Sequence, residues 1–323
     1  MKVLENNIDI TFKKKSFCFD NVASGYEPFL IAELIKKFHE QNILVVLEKN
    51  KDLELLKLIL KKLNLVDNIL LFPHWDCSPY SNISPNKSNT NTRFKTFIKA
   101  LSNKKKKSII LTSYKSLAML LPNNIELDNK FILFKKGKNY EFQNIVKTIS
   151  EKGYSNVSLV LEPNEYAIRG GILDIWPLGL DKPYRLDFFD SQLESIKSFD
   201  PISQLSKEQY DSISIYENIE PPLTEKSKNL FISKYRELFG PVTNKDLFIH
   251  QISNVNKLDG IEHWLPLFYQ KEFLSIFDFF NSELVIMNNN LIDKLNYFLN
   301  DIKELYSEKI ESYKTEKKSS DAP

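Results

Sequence analysis

Over the first third of this 323-residue chain, apolar runs of strand length alternate with amphipathic helical segments. ILVVLE (43–48), NILLF (68–72) and SIILT (108–112) are continuous apolar stretches, the pattern of strands buried on both faces. Between them, PFLIAELIKKFHE opens on Pro28, a residue suited to a first helical turn. DLELLKLILKKL (52–63) starts acidic and ends basic, as the helix dipole favours. SFCF (16–19) reads as a further short strand ahead of the first helix. Such alternation predicts a mostly parallel sheet covered by helices.

From about residue 129 the texture changes. A helix, YEFQNIVKTISEKGY, ends at Gly153, and short strands follow at VSLVLE (157–162), GGILDIW (170–176), YRLDFF (184–189) and LESIKSF (193–199). Pro, Gly, Asp and Ser punctuate them, which predicts a compact, mostly antiparallel α+β insert ending near residue 216. From about 223 the pattern turns helical again, with an apolar strand at ELVIMN (283–288) and a long charged helix from about 291. The polar tail TEKKSSDAP is expected to be disordered.

Composition excludes several classes. With 42% hydrophobic residues the chain can bury a core, and a net charge of +2 argues against a general polyanion binder. Two cysteines, Cys18 and Cys77, make no disulfide scaffold and fit a reducing, cytoplasmic setting. No apolar run approaches the roughly 18 residues of a membrane span, and MKVLENNIDITFKKK lacks the order of a secretory signal. Of the 44 basic residues only Arg93, Arg169, Arg185 and Arg236 are arginine. In a chain that otherwise writes Lys, an Arg points to a position that needs its planar, bidentate fork.

Catalytic motifs are missing. Where an α/β nucleotide-binding domain would carry its phosphate loop, the chain reads Asn21-Val22-Ala23-Ser24-Gly25-Tyr26-Glu27-Pro28. Asn21 and Tyr26 stand at the glycine positions, Glu27 at the lysine and Pro28 at the hydroxyl. Glu27 repels phosphate and Pro28 has no N–H to donate, so no ATP binding is expected here. His74 and Cys77 have H-x-x-C spacing without a second pair, which reads as a loop histidine and a small buried thiol. No metal or other cofactor is expected.

The informative stretch is 163–206. Read as a strand, YRLDFF puts Tyr184, Leu186 and Phe188 on one face and Arg185, Asp187 and Phe189 on the other. The first set is a core face; the second has the composition of an interface anchor. The alternative is that a neighbouring strand covers Phe189 while Arg185 pairs with Asp187, and the pattern leaves both open. Residues 151–216 carry six basic and eleven acidic side chains, a net of −5. That balance disfavours a phosphate backbone and favours a protein partner.

The segments Glu165–Pro177, Pro183–Asp190 and Leu193–Ser206 closely resemble the N-terminal part of the bacterial transcription-repair coupling factors, which is homologous to the excision-repair subunit UvrB. FPHWDCSPYSNISP (72–85) and GIEHWLPLFY (260–269) extend the resemblance over roughly residues 16 to 310. The resemblance implies a degenerate helicase-type α/β domain in two pieces, 1–128 and 217–312, with an inserted UvrA-interaction domain at 129–216 and a flexible tail at 313–323. It places the UvrA contact on Arg169, Arg185 and Phe189. It implies a non-catalytic module that binds UvrA to recruit nucleotide excision repair to stalled transcription. RNA polymerase and DNA would be contacted only through domains this chain lacks, and no membrane is involved. A UvrB-like ATP-dependent DNA-loading factor and a UvrA-sequestering decoy are the alternatives; an intact phosphate loop, which the first requires, is absent from the sequence.

Overall fold

The computed structural model describes residues 18–320 apart from 24, 64–67, 103–106, 124–130, 241–248, 250–251 and 253–257, with side chains as far as residue 312. Its first sheet is parallel. Strands β1 (Ile43–Leu47), β2 (Ile69–Phe72) and β3 (Ile109–Ser113) follow the three apolar runs, and helices α1 (Glu27–Lys37), α2 (Asn50–Lys62) and α3 (Lys87–Ser102) accompany them. A fourth strand, supplied by Leu284–Met287 far along the chain, pairs in parallel with β1. The order is Leu284–Met287, β1, β3, β2.

Continuous apolar strands need cover on both faces, and both receive it. Leu53, Leu56 and Leu60 of α2, with Ile35 and Phe38, pack on Ile43, Val45, Leu71 and Leu111. Phe94 and Phe97 of α3 pack on Leu44, Val46, Leu70 and Phe72 from the opposite side. Sequence patterning gave no warning of α3: its first turns are Ser, Asn and Thr, and its buried face includes Arg93 and Thr96. The expected strand at 16–19 is not formed at Cys18 and Phe19, and its first two residues lie outside the described residues.

After β3 come β4 (Leu121–Pro122), β5 (Phe131–Lys135), α4 (Phe142–Glu151) and β6 (Ser155–Asn156). Then follow β7 (Glu165–Arg169), β8 (Ile172–Trp176), β9 (Tyr184–Phe189), β10 (Gln192–Phe199), β11 (Ser206–Tyr210) and β12 (Ser212–Tyr216). Strands β6 to β11 form one six-stranded sheet, antiparallel except for the short β6–β7 pair. Its inner face, with Tyr166, Leu173, Ile175, Leu186, Phe188 and Ile196, packs on Ile145 and Ile149 of α4 and on Phe134 and Ile215 of the β5–β12 pair. The face division read from YRLDFF is thus realised: Tyr184, Leu186 and Phe188 are buried, Arg185 and Asp187 half-buried, and Phe189 exposed.

VSLVLE (157–162) is not a strand but an irregular segment. The Glu165 carboxylate accepts hydrogen bonds from the N–H groups of Leu161 (3.0 Å) and Glu162 (2.9 Å), which turns the chain. Val160 is then buried beside Ala167 and Phe199 on the sheet's outer face.

Helix α3 ties the two sheets together. Lys87 Nζ donates to Glu165 (2.5 Å), Asn91 bonds the Leu180 carbonyl (3.0 Å) and the Gly179 N–H (2.6 Å), and Lys95 donates to Asp181 (2.5 Å). These residues recur every four positions, so they form one stripe. From another face of the helix, the fully buried Arg93 makes a bidentate pair with Glu220 (2.6 and 2.9 Å) and stacks on Phe72 at 4.0 Å.

The remaining chain forms α5 (Glu225–Phe239), β13 (Phe273–Leu274, paired with β4), the short α6 (Ile276–Phe279), β14 (Leu284–Met287) and α7 (Asn290–Ser320). The tail expectation is corrected here. TEKKSS continues α7 as helix to Ser320, and the last three residues lie outside the described ones.

Candidate partner-binding surface

The antiparallel register decides where the three residues singled out in the sequence, Arg169, Arg185 and Phe189, fall. Arg169 ends β7 and pairs with Ile172, the first residue of β8. Ile172 in turn pairs with Asp187 near the end of β9, and Phe189 closes β9 opposite Gln192. The β7–β8 and β9–β10 hairpin tips therefore lie at the same end of the sheet and carry Arg169 and Phe189 with them.

Local chemistry fixes both tips. The first is Gly170-Gly171, and Gly170 has φ +60°, the left-handed conformation of a two-residue hairpin. At Gly171 a Cβ would lie 2.6 Å from the Phe188 carbonyl oxygen, so no larger residue fits. Phe188 N–H donates to the Gly171 carbonyl at 2.9 Å, locking one tip against the other strand. The second tip turns at Asp190, with φ +54°.

The two outer arginines differ. Arg169 is exposed and, among the described residues, has no ion pair; its Nη2 donates one long bond to the Ser158 carbonyl at 3.4 Å. Arg185 is the second residue of β9, and its fork grips Asp174 of β8 at 2.7 and 2.9 Å. Asp174 is 1% exposed, so this pair is part of the sheet's own structure. The partner is Asp174 across the register rather than Asp187 on the same strand. Nη1 of Arg185 also donates to the Gln204 carbonyl (3.3 Å), and its guanidinium lies 4.9 Å from the Phe199 ring centre. Asp174, then Asp187, raises the Arg185 pKa further, so the guanidinium is a permanent cation.

Phe189 projects into water and is 71% exposed, while Phe188 beside it packs against Phe142 and Tyr140. No neighbouring strand covers it. A large apolar ring held on a rigid strand, with an exposed guanidinium on the adjacent tip, can enter a partner's apolar pocket and donate to a carboxylate or carbonyl. Sequence reasoning named Arg169, Arg185 and Phe189 but not Asp174 and Gln204, which hold Arg185. An Asp two residues before Trp176 on a strand gave no signal of its own, because its partner is set by register.

The remaining motif residues are held locally. His74 Nδ1 lies 2.7 Å from Ser113 Oγ, and burial pushes the His74 pKa down to about 4. Cys77 Sγ is 3.7 Å from His263 Nε2, and burial pushes the thiol up to about 11, away from reactive thiolate. No group of three metal-ligating side chains is found among the described residues, and no described helix is long and apolar enough to cross a membrane.

Residues 132–220 match the family model of the UvrB interaction domain. Over 90% of its length the chain is 31% identical to a transcription-repair-coupling factor of Haemophilus influenzae, of which it covers 25%. It is 28% identical to that of Escherichia coli over 66% of this chain and 18% of the relative. With that of Borreliella burgdorferi the identity is 31%, over 63% of this chain and 18% of the relative. The chain thus spans about a quarter or less of the curated relatives it matches. With the six-stranded sheet lying inside the matched domain, this chain is a relative of the N-terminal part of the transcription-repair-coupling factors and carries a UvrB interaction domain.

Proposed function

We propose that the outer face of the six-stranded sheet docks UvrA, and that through this contact the chain recruits nucleotide excision repair to stalled transcription. The observation that carries the reading is the pairing of Arg169 and Phe189 on adjacent hairpin tips, both exposed, with Phe189 at 71%. Phe189 serves as the apolar anchor and Arg169 as the charge-assisted donor. Arg185 contributes a fixed positive charge between them and the body of the sheet.

Binding, not catalysis, is the role proposed for this chain. Helix α1 begins at Glu27 and Pro28, so its first turn offers a carboxylate and a missing N–H where a phosphate would need donors. The helicase-type α/β domain is accordingly read as degenerate. Its two pieces are 1–128 and 217–312, the insert is 129–216, and a parallel strand drawn from each side of the insert supports that division.

The test is calorimetric titration of the chain against UvrA, beside Arg169→Ala and Phe189→Ala variants shown by melting to be folded. Binding by the wild type and weakened binding by both variants supports the reading. Equal binding by all three moves the contact elsewhere, and saturable ATP binding by the chain overturns the degenerate phosphate loop.

A further inference from the structure

The apolar surface of the outer face does not stop at Phe189. At the other end of the same sheet, the turn joining β10 to β11 carries Ile202 at 91% exposure and Leu205 at 67%. Single exposed apolar residues are ordinary. These two differ because the turn beneath them is held from every side.

Asp200 Oδ1 accepts from the N–H groups of Ile202 (3.1 Å) and Ser203 (3.0 Å), while Oδ2 accepts from Lys207 Nζ (2.9 Å). The Gln204 N–H donates to the Asp200 carbonyl (2.8 Å) and the Asp200 N–H to the Leu205 carbonyl (3.0 Å). Gln204 Nε2 donates to the carbonyls of Pro201 (2.6 Å) and Val160 (3.3 Å). The Gln204 carbonyl accepts from Arg185 Nη1 at 3.3 Å, which ties the turn down onto the sheet.

Gln204 has φ +59°, and its Oε1 is buried without a hydrogen-bond partner among the described residues. A turn that retains a left-handed non-glycine residue and an unpaired amide oxygen is over-determined by its surroundings, as functional loops are. Its product is a pair of aliphatic side chains fixed in water. Such preorganisation lowers the ordering cost of binding.

We propose that Ile202 and Leu205 are a second apolar anchor for the same partner that engages Phe189. This rests on the reading that the outer face docks UvrA. Interface size argues for one occupant over both ends. Strand β9 spans six residues, so its ends lie about 17 Å apart at roughly 3.4 Å per residue. A standard interface takes about 800 Å² from each partner, a patch about 30 Å across. A contact of that size centred on the Arg185–Asp174 pair reaches Phe189 at one end and Ile202 at the other. Charge agrees: residues 151–216 carry a net of −5, so the matching surface has two apolar hollows in a basic rim. Arg185 is then a positioning residue, since its Nε and Nη2 grip Asp174 and its Nη1 donates to the turn that bears Ile202.

The test titrates the full chain with UvrA by calorimetry. It compares wild type, Phe189→Ala, Arg185→Lys and the Ile202→Ser/Leu205→Ser double variant, with melting and sedimentation of each. The double variant is expected to keep the melting temperature and sedimentation behaviour of the wild type while binding at least about tenfold more weakly. Arg185→Lys is expected to weaken wild-type binding yet add little in the double-variant background, a non-additivity that a direct Arg185 contact would not give. If Phe189→Ala weakens binding and the double variant binds like wild type, the second anchor is overturned and the docking face stands. If the wild type fails to bind, or Phe189→Ala changes nothing, the docking face itself fails. If the double variant abolishes self-association while leaving UvrA binding intact, Ile202 and Leu205 serve a second copy of the chain, and the proposal is overturned.

Discussion

The two sheets of this chain face water differently. Strands β1, β2 and β3 are buried on both faces, with α1 and α2 on one side and α3 on the other. The six-stranded sheet buries one face on α4 and the β5–β12 pair and leaves much of the other to solvent. A parallel sheet needs crossover helices and so covers itself, whereas hairpins leave a face free. The free face is where a docking residue can stand without disturbing the core. The same reasoning separates two buried or half-buried arginine pairs. Arg93–Glu220 lies between α3 and the chain leaving the insert, and Arg185–Asp174 lies on the open face.

The sharpest break of this division is Glu220→Ala. It leaves the fully buried Arg93 without its carboxylate, and a stability loss of about 3–5 kcal/mol is expected in chemical denaturation of the full chain. Both sheets should be lost in one transition, because α3 is shared. Separate transitions would show that the sheets are independent.

Next come two substitutions on one strand, three residues apart. Leu186→Ala, at 0% exposure, should cost about 2–5 kcal/mol of stability. Phe189→Ala should leave stability within about 0.5 kcal/mol and cost about 2 kcal/mol of UvrA binding. A destabilised Phe189→Ala would mean that the outer face is not free.

Arg169→Ala should have a smaller effect, on the order of 1 kcal/mol in binding, and that loss should shrink as salt is raised. A salt-independent loss would point to packing by the arginine stem instead.

The smallest effect expected is on pH dependence. Burial, helped by Lys115, holds His74 neutral in the folded state, with a pKa of about 4 against an ordinary 6.5. The unfolded chain therefore takes up the proton first. The His74 contribution is complete above pH 6.5 and is lost as pH falls from 6.5 towards 4. On the open sheet, the Ser203 N–H and Lys207 hold the Asp200 carboxyl well below the usual carboxylate range. Its contribution is complete above pH 3.8 and is lost progressively as pH falls below that value. Denaturation midpoints at pH 7 and 5 should differ less in His74→Asn than in wild type. In an NMR titration, the Asp200 carboxyl should titrate after the His74 ring.

Much of this was readable in advance because it depends on local pattern. Apolar runs located β1, β2 and β3, and period-two alternation divided β9 correctly between core and water. The resemblance carried by 163–206 picked out Arg169, Arg185 and Phe189. Helix α3 escaped because its buried face is built from Arg93 and Thr96 beside two phenylalanines, and those polar groups are satisfied only by distant chain. The segment 157–162 reads as a strand because four of its six residues are apolar and two are β-branched, but the Glu165 carboxylate captures the backbone N–H groups of Leu161 and Glu162.

By itself the sequence determined which stretches could be strands or helices, which side of β9 is apolar, and that residues 21–28 lack the glycine spacing and lysine of a phosphate loop. These follow from residue identity and spacing along one segment. Only the tertiary structure decided that Arg185 is committed to Asp174, that Arg169 and Phe189 share one end of a sheet, and that Ile202 rides on a turn anchored by Arg185. Those facts depend on the register between strands and on contacts across loops. A one-residue slip would turn each strand over, so that choice belongs to the assembled core rather than to any one segment.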